Sequence, residues 1–285
     1  MIFFVFNSKA FPWKRGAIMK NFLRFGYLQA LSCLFPVIIF AALALSKWIA
    51  IPFLPRYDFI LIVCIAAQMF MLVSKLETWD EFKVICVFHV IGLALEIFKV
   101  HMGSWAYPEE AYSKVFGVPL YSGFMYASVA SYICQAWRRM DLHIYGWPKP
   151  FYKVAISGLI YLNFFTHHFT YDVRWGLKVL LFFIFFPTFV TFKVNKTVYK
   201  MPMILSFLLI GFFIWIAENI TTFLGAWQYP DQQAAWSLVH LSKISSWFLL
   251  VIISIIIVAQ LKRVKSSLEL PREKSGVNAR YKKIL

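Results

Sequence analysis

Apolar residues gather in eight blocks along the chain, at residues 27–45, 59–73, 82–100, 120–136, 151–168, 175–192, 203–223 and 241–261. Most approach the ~20 residues that cross a hydrocarbon core of ~30 Å as a helix. Inside lipid a backbone must satisfy its own hydrogen bonds, which leaves helices or a closed barrel. A barrel would alternate apolar and polar positions in shorter segments, and these blocks do not. Only 15% of the residues are charged, against about 25% in ordinary soluble domains. The expected fold class is an all-α membrane protein of about eight transmembrane helices.

The net charge of +16 would suit a nucleic-acid binder if the basic residues formed a patch. They lie instead in the short segments between blocks and in the last 24 residues, so no nucleic-acid partner is expected and the lipid bilayer is the surrounding. With the N-terminus inside, 22 Lys and Arg fall on the inner side of the eight blocks and 7 on the outer. This bias predicts both termini on the cytoplasmic side, with multi-pass insertion. The division expected is a basic, aromatic N-terminal segment over 1–26, four-span halves over 27–138 and 139–261, and a basic tail over 262–285 lying against anionic headgroups. Cys33, Cys64, Cys86 and Cys134 stand singly in different blocks, without CxxC or Cys/His metal spacing. They read as reduced packing residues.

Two segments repeat the pattern E-x6-G-[AS]-W-x-Y-P-[DE]. One runs from Glu96 through Gly103, Trp105, Tyr107 and Pro108 to Glu109, the other from Glu218 through Gly225, Trp227, Tyr229 and Pro230 to Asp231. Each closes an odd-numbered block, which implies two halves repeated in parallel orientation about an axis along the membrane normal. Gly and Pro at these places stop a helix, and Trp and Tyr suit an interface. The glutamates ask for more. Each precedes its Trp by nine residues and so lies roughly 13 Å below the interface at helical rise. A carboxylate there costs several kcal/mol unless it is protonated, paired or hydrated, and is a functional candidate by default.

Glu96 and Glu218 are therefore the candidate catalytic acids, with Trp105, Tyr107, Trp227 and Tyr229 around a substrate pocket. Lys99, three residues after Glu96, is placed to pair with it on one helix face, whereas Thr221 holds that place after Glu218. His89, seven residues before Glu96, is placed to share its proton. A further polar cluster gathers Asn163, His167, His168, Asp172 and His240. No HExxH, P-loop, GxSxG or dinucleotide fingerprint occurs, so neither a metal nor a cofactor is expected.

The stretch from Trp79-Asp80-Glu81-Phe82-Lys83 through Glu96 and the Gly103 turn to Gly117-Val118-Pro119-Leu120-Tyr121-Ser122-Gly123-Phe124-Met125-Tyr126 resembles an uncharacterised family of bacterial membrane proteins, domain of unknown function family 817. That likeness implies an integral protein of the bacterial inner membrane and no assigned activity. More distantly, the order of an intramembrane acid, a G-x-W-x-Y turn and a Pro-Leu helix start is similar to the membrane-embedded lycopene cyclase domains of carotenoid synthesis. Tyr121 and Ser122 stand where those domains carry two glutamates. The second half lacks the Pro-Leu-Glu-Glu start altogether. The resemblance thus implies a shared fold more than a shared reaction, and adds Tyr121 and Ser122 to the pocket candidates. Three functions remain open. One is acid-catalysed modification of an isoprenoid or carotenoid-like lipid, cyclase- or hydratase-like. Another is proton- or cation-coupled transport with both glutamates at the repeat interface, and the last is a non-catalytic assembly role.

Overall fold

The computed structural model describes residues 15–49 and 51–269. They form α1 (Arg15–Ser32), α2 (Leu34–Leu45), α3 (Arg56–Val73), α4 (Trp79–His101), β1 (Lys114–Val115), β2 (Val118–Pro119), α5 (Tyr121–Arg139), β3 (His143–Tyr145), α6 (Pro150–Thr166), α7 (Arg174–Phe185), β4 (Phe189–Val194), β5 (Thr197–Pro202), α8 (Met203–Phe223) and α9 (Ser242–Glu269). Helices α3, α4, α8 and the Ser242–Leu261 part of α9 are long and apolar enough to cross a membrane. The bent α1–α2 pair makes a fifth if it is one span. Large apolar side chains stand outward from these helices, with Val73, Val90 and Phe213 each more than 60% exposed. An apolar surface of that extent calls for a lipid surrounding.

Several block boundaries change. The first block is not one straight helix: α1 already begins at Arg15, inside the expected N-terminal segment, and α2 turns away from it by 65°. Pro36 accounts for the break, because its ring clashes with the carbonyl four residues back, which belongs to Ser32 at the end of α1. Helix α5 is long enough but too polar for the same apolarity, with Ser122, Ser128, Ser131 and Gln135 buried along it, and α6 and α7 have 17 and 12 residues. The sixth block, expected over 175–192, ends as a helix at Phe185, two residues before Pro187. Its remainder is β4, paired with β3 and β5 in an antiparallel sheet of order β3-β4-β5. A two-residue turn at Asn195-Lys196 closes the β4–β5 hairpin. Asn195 takes φ 54° there, a left-handed conformation that Asn tolerates well. In the expected C-terminal tail, α9 continues to Glu269, and residues 270–285 lie outside those described, as do 1–14.

Three apolar cores organise the described residues, the smallest of them setting Leu28 of α1 and Ala136 of α5 against Phe192, Val194 and Tyr199 of the β4–β5 hairpin. The largest joins α2, α3, α4 and α5 through Phe35, Leu43, Ile60, Met71, Ile85 and Ala127. The second joins α6 to α9 and the far end of α5 through Ile133, Ile160, Leu181, Phe185, Phe207 and Ile252. At one end of the largest core the α3–α4 loop is clamped to α5. Gln68 Nε2 donates to Glu77 Oε2 at 2.5 Å, the Ser131 hydroxyl donates to its other oxygen, and Arg138 pairs with Glu81 at 3.5 Å. Burial pushes the Glu77 carboxyl up, with the Ser131 and Gln68 hydrogen bonds opposing. Helix α4 starts there on a capping box, Thr78 Oγ1 accepting from Glu81 N and Glu81 Oε2 from Thr78 N.

Candidate functional site

Both repeated motifs end their helices in the same way. Gly103 and Gly225 take φ 66° and 73°, the left-handed conformation that closes a helix. The next amides, of Ser104 and Ala226, return to the carbonyls of Lys99 and Thr221 at 2.9 Å. Each chain then turns back beneath its own helix. The two turns also join each other, since Ala106 and Gln228 exchange N–H···O bonds of 2.9 Å in both directions as an isolated antiparallel bridge.

This return explains the spacing of the pattern. It brings the tyrosine eleven residues after each glutamate onto its carboxylate, Tyr107 OH donating to Glu96 Oε2 at 2.7 Å and Tyr229 OH donating to Glu218 Oε1. Trp105 Nε1 adds a second bond to Glu96 Oε2 at 2.6 Å, and Tyr126 of α5 donates to Oε1 at 2.7 Å. Around Glu218 the indole comes from elsewhere: Trp247 of α9 donates to Oε2 at 2.7 Å. The carboxylates, each 4% exposed, share one aromatic cluster, with Trp105 edge-on to Tyr229 at 5.9 Å and Tyr126 against Trp247 at 6.3 Å. A carboxylate offers about four lone-pair positions. Glu96 fills three with protein donors and Glu218 two, so Glu218 keeps more capacity for a ligand.

Beside the cluster lies a cavity of about 1000 Å³ whose wall includes Glu96, Glu218, Trp105, Tyr126, Trp227, Tyr229 and Trp247. That is at the upper end for small-molecule sites. Between its ends the wall is mainly hydrocarbon, among it Ala30, Val37, Val129, Ile133, Ile210 and Ile214.

Other expected residues sit differently. Lys99 does not pair with Glu96: its Nζ reaches His168 Nε2 at 2.8 Å and His167 Nε2 at 3.4 Å, over the Phe164 ring. At the end of α4 its long side chain crosses to α6 more readily than it folds back along its own helix. His89 does not reach Glu96 either. It packs edge-on to Phe124 and against Gly123, and its Nδ1 has no hydrogen-bond partner. Tyr121 and Ser122 are fully buried outside the cavity wall, Tyr121 OH donating to the Ala226 carbonyl beneath the second turn. Tyr107 is likewise absent from the wall. Asn163, His167, His168 and Asp172 do come together. His167 Nδ1 is 2.9 Å from the Asn163 carbonyl, Asn163 Nδ2 donates to Asp172 Oδ1 at 3.3 Å, and Asp172 pairs with Arg174 at 2.5 Å. Burial works to raise the Asp172 carboxyl, and the Arg174 and Asn163 bonds overcome it and hold it down at about 2. His240 stands apart, bonded to Ser242. Among the described residues no group of three or more His, Cys, Asp or Glu is placed to hold a metal ion.

Tyr126, Trp247, Lys243 and Arg56 escaped the pattern. Tyr126 and Trp247 follow their glutamates by 30 and 29 residues, on the next helix after each motif, an offset that extending the pattern would have exposed. Lys243 Nζ lies 4.3 Å from the Tyr229 ring centroid and 5.3 Å from that of Trp105. The cation beside the pair is thus nearer the second motif than the first, the reverse of the expectation from Lys99.

Among solved structures, a cross-linked MvINS trimer shows 13% identity and a TM-score of 0.44, covering 66% of this chain and 97% of that one. In sequence the chain is 64% identical over 247 residues to the Bacillus subtilis (strain 168) protein described as "Uncharacterized protein YoaT", covering 87% of this chain and 94% of that protein. The family model described as "Protein of unknown function (DUF817)" matches residues 21–255. With most of its length inside that model and a relative this similar, the chain belongs to the DUF817 family.

Proposed function

We propose that this protein binds a lipophilic small molecule in its intramembrane cavity and acts on it by proton transfer from the paired-glutamate cluster, with Glu218 as the reacting acid. One observation carries the reading: both motif glutamates open onto the same 1000 Å³ apolar cavity. A wall that is mainly hydrocarbon between its polar ends offers few ligands to a travelling ion, which favours a lipophile over ion-coupled transport. Trp105, Tyr126, Tyr229 and Trp247 present aromatic faces suited to stabilising a developing carbocation. The likeness to lycopene cyclase domains supports an isoprenoid or carotenoid-like chain as the substrate class. Purified protein should carry about one extractable lipophile per chain, as one cavity of this size implies. Ile214→Trp, which fills the cavity, should lower that content several-fold at unchanged abundance. An unchanged content in Ile214→Trp overturns the reading.

The setting belongs to the same proposal: eight crossings, α2 to α9, in two parallel four-helix halves, with both termini on the cytoplasmic side of a bacterial inner membrane. Alternate loops gather at opposite ends in support. Arg138 at the end of α5 and Gln135 donate to the Leu76 carbonyl in the α3–α4 loop, and Arg56 at the start of α3 meets both motif turns. A cysteine in place of Lys149 should resist an impermeant thiol reagent applied from outside and react after the membrane is opened. Strong labelling of intact cells would refute this orientation.

A further inference from the structure

One end of the cavity is rich in basic side chains, and neither of its two lysine ammoniums is bonded to an anion. Lys99, Lys243, Arg174 and His167 all line it, where α4 and α6 end and α7 and α9 begin. Lys99 is 4% exposed, yet its ammonium meets two imidazoles and the rings of Phe98 and Phe164, with no anion bonded to it. His167 Nδ1 faces the Asn163 carbonyl, so that nitrogen carries the proton and Nε2 accepts from Lys99. The Lys243 ammonium rests over the Tyr229 and Trp105 rings and makes no hydrogen bond or ion pair among the described residues. Arg174 is held in place by Asp172, and its Nη1 donates to Ser246 Oγ at 3.1 Å, one helical turn beyond Lys243 on α9. Asp172 is spent on Arg174, and the hydrogen bonds to the Glu96 and Glu218 oxygens come from aromatic donors and not from either lysine.

A buried ammonium is costly unless an anion joins it. We propose that this end of the cavity binds a phosphate head group, so that the ligand is a phosphate-bearing amphiphile whose chain fills the apolar cavity. Two free ammoniums beside an anchored guanidinium match a phosphate monoester, which carries about −1.5 to −2 charge near neutrality, better than a single carboxylate. Glu96 lies one turn before Lys99 on α4, which sets the glutamates against the first carbons of the chain. This inference rests on the lipophile reading above and goes further by naming the head group.

The test is equilibrium binding of farnesyl phosphate, farnesol and inorganic phosphate to the purified full chain in a neutral detergent. Charge-assisted hydrogen bonds of the usual strength should make farnesyl phosphate bind at least about tenfold more tightly than farnesol. Lys99→Gln and Lys243→Gln should each erode that preference several-fold and leave farnesol binding unchanged. Lys99→Arg, which keeps the charge, should preserve it. Equal affinities for farnesol and farnesyl phosphate overturn the head-group inference while leaving the lipophile reading intact. Inorganic phosphate binding as tightly as farnesyl phosphate overturns it as well, since the site would then serve a free anion. Failure of both farnesyl compounds to bind saturably removes the lipophile reading and this inference with it.

Discussion

Arg56→Ala is expected to cost about 3 kcal/mol or more, because it strands several backbone carbonyls at about 1–3 kcal/mol for each one left unsatisfied. The guanidinium is 13% exposed and ties four separate pieces of chain together. Nε donates to Ser46 Oγ at 2.9 Å, Nη2 to the Leu43 carbonyl at 3.2 Å, and Nη1 to Glu109 at 2.5 Å and the Gly225 carbonyl at 3.2 Å. A further bond from Nη2 reaches the Leu224 carbonyl at 2.5 Å. It thus holds the end of α2 and the two carbonyls just after α8 against the final acid of the first motif. Lysine offers three donors from one point and cannot reproduce this fork, so Arg56→Lys should recover only part of the loss. In thermal unfolding of purified protein, Tm should fall on the order of ten degrees for Arg56→Ala. A shift within about 2 °C would mean that the bridge between Ala106 and Gln228 holds the two turns without this clasp.

Much of this arrangement was legible in the chain because it is local. The Gly, Trp, Tyr and Pro of each motif announce a helix end and a return, and that return alone brings Tyr107 to Glu96 and Tyr229 to Glu218. What stayed hidden depends on packing between distant helices. Lys99 sits three residues from Glu96, the spacing of a helical ion pair, yet its partners His167 and His168 come from the end of α6, 68 and 69 residues on. Tyr126 and Trp247 carry no local mark at all. The β4–β5 hairpin was legible in principle: Phe189, Val190, Thr191, Phe192, Lys193 and Val194 alternate toward Asn195, a strand-and-turn signal. Its aromatic and aliphatic residues merged with the preceding apolar run, and only Pro187 marked where helix gave way to strand. The bend at Ser32 likewise hung on one residue, Pro36, inside a run otherwise uniform in hydropathy.

Glu218→Gln is expected to produce the largest functional effect. Glutamine keeps an oxygen to accept from Tyr229 or Trp247 but cannot donate an acidic proton, and its amide meets one of those donors with another. The unmatched donor costs about 1–3 kcal/mol, less than the loss expected at Arg56, so the protein should still reach the membrane. Glu96→Gln disturbs a carboxylate with three protein donors and should show its effect more in stability than in chemistry. The measurement is mass spectrometry of the lipophile extracted from purified wild type and from Glu218→Gln at matched abundance. If Glu218 delivers a proton to the bound molecule, the variant should hold the unreacted substrate, distinguishable from the wild-type lipophile as an isomer by its retention or as a hydration product by its mass. The same molecule in the same amount in both proteins would contradict the account and leave Glu218 as the anchor of its own turn.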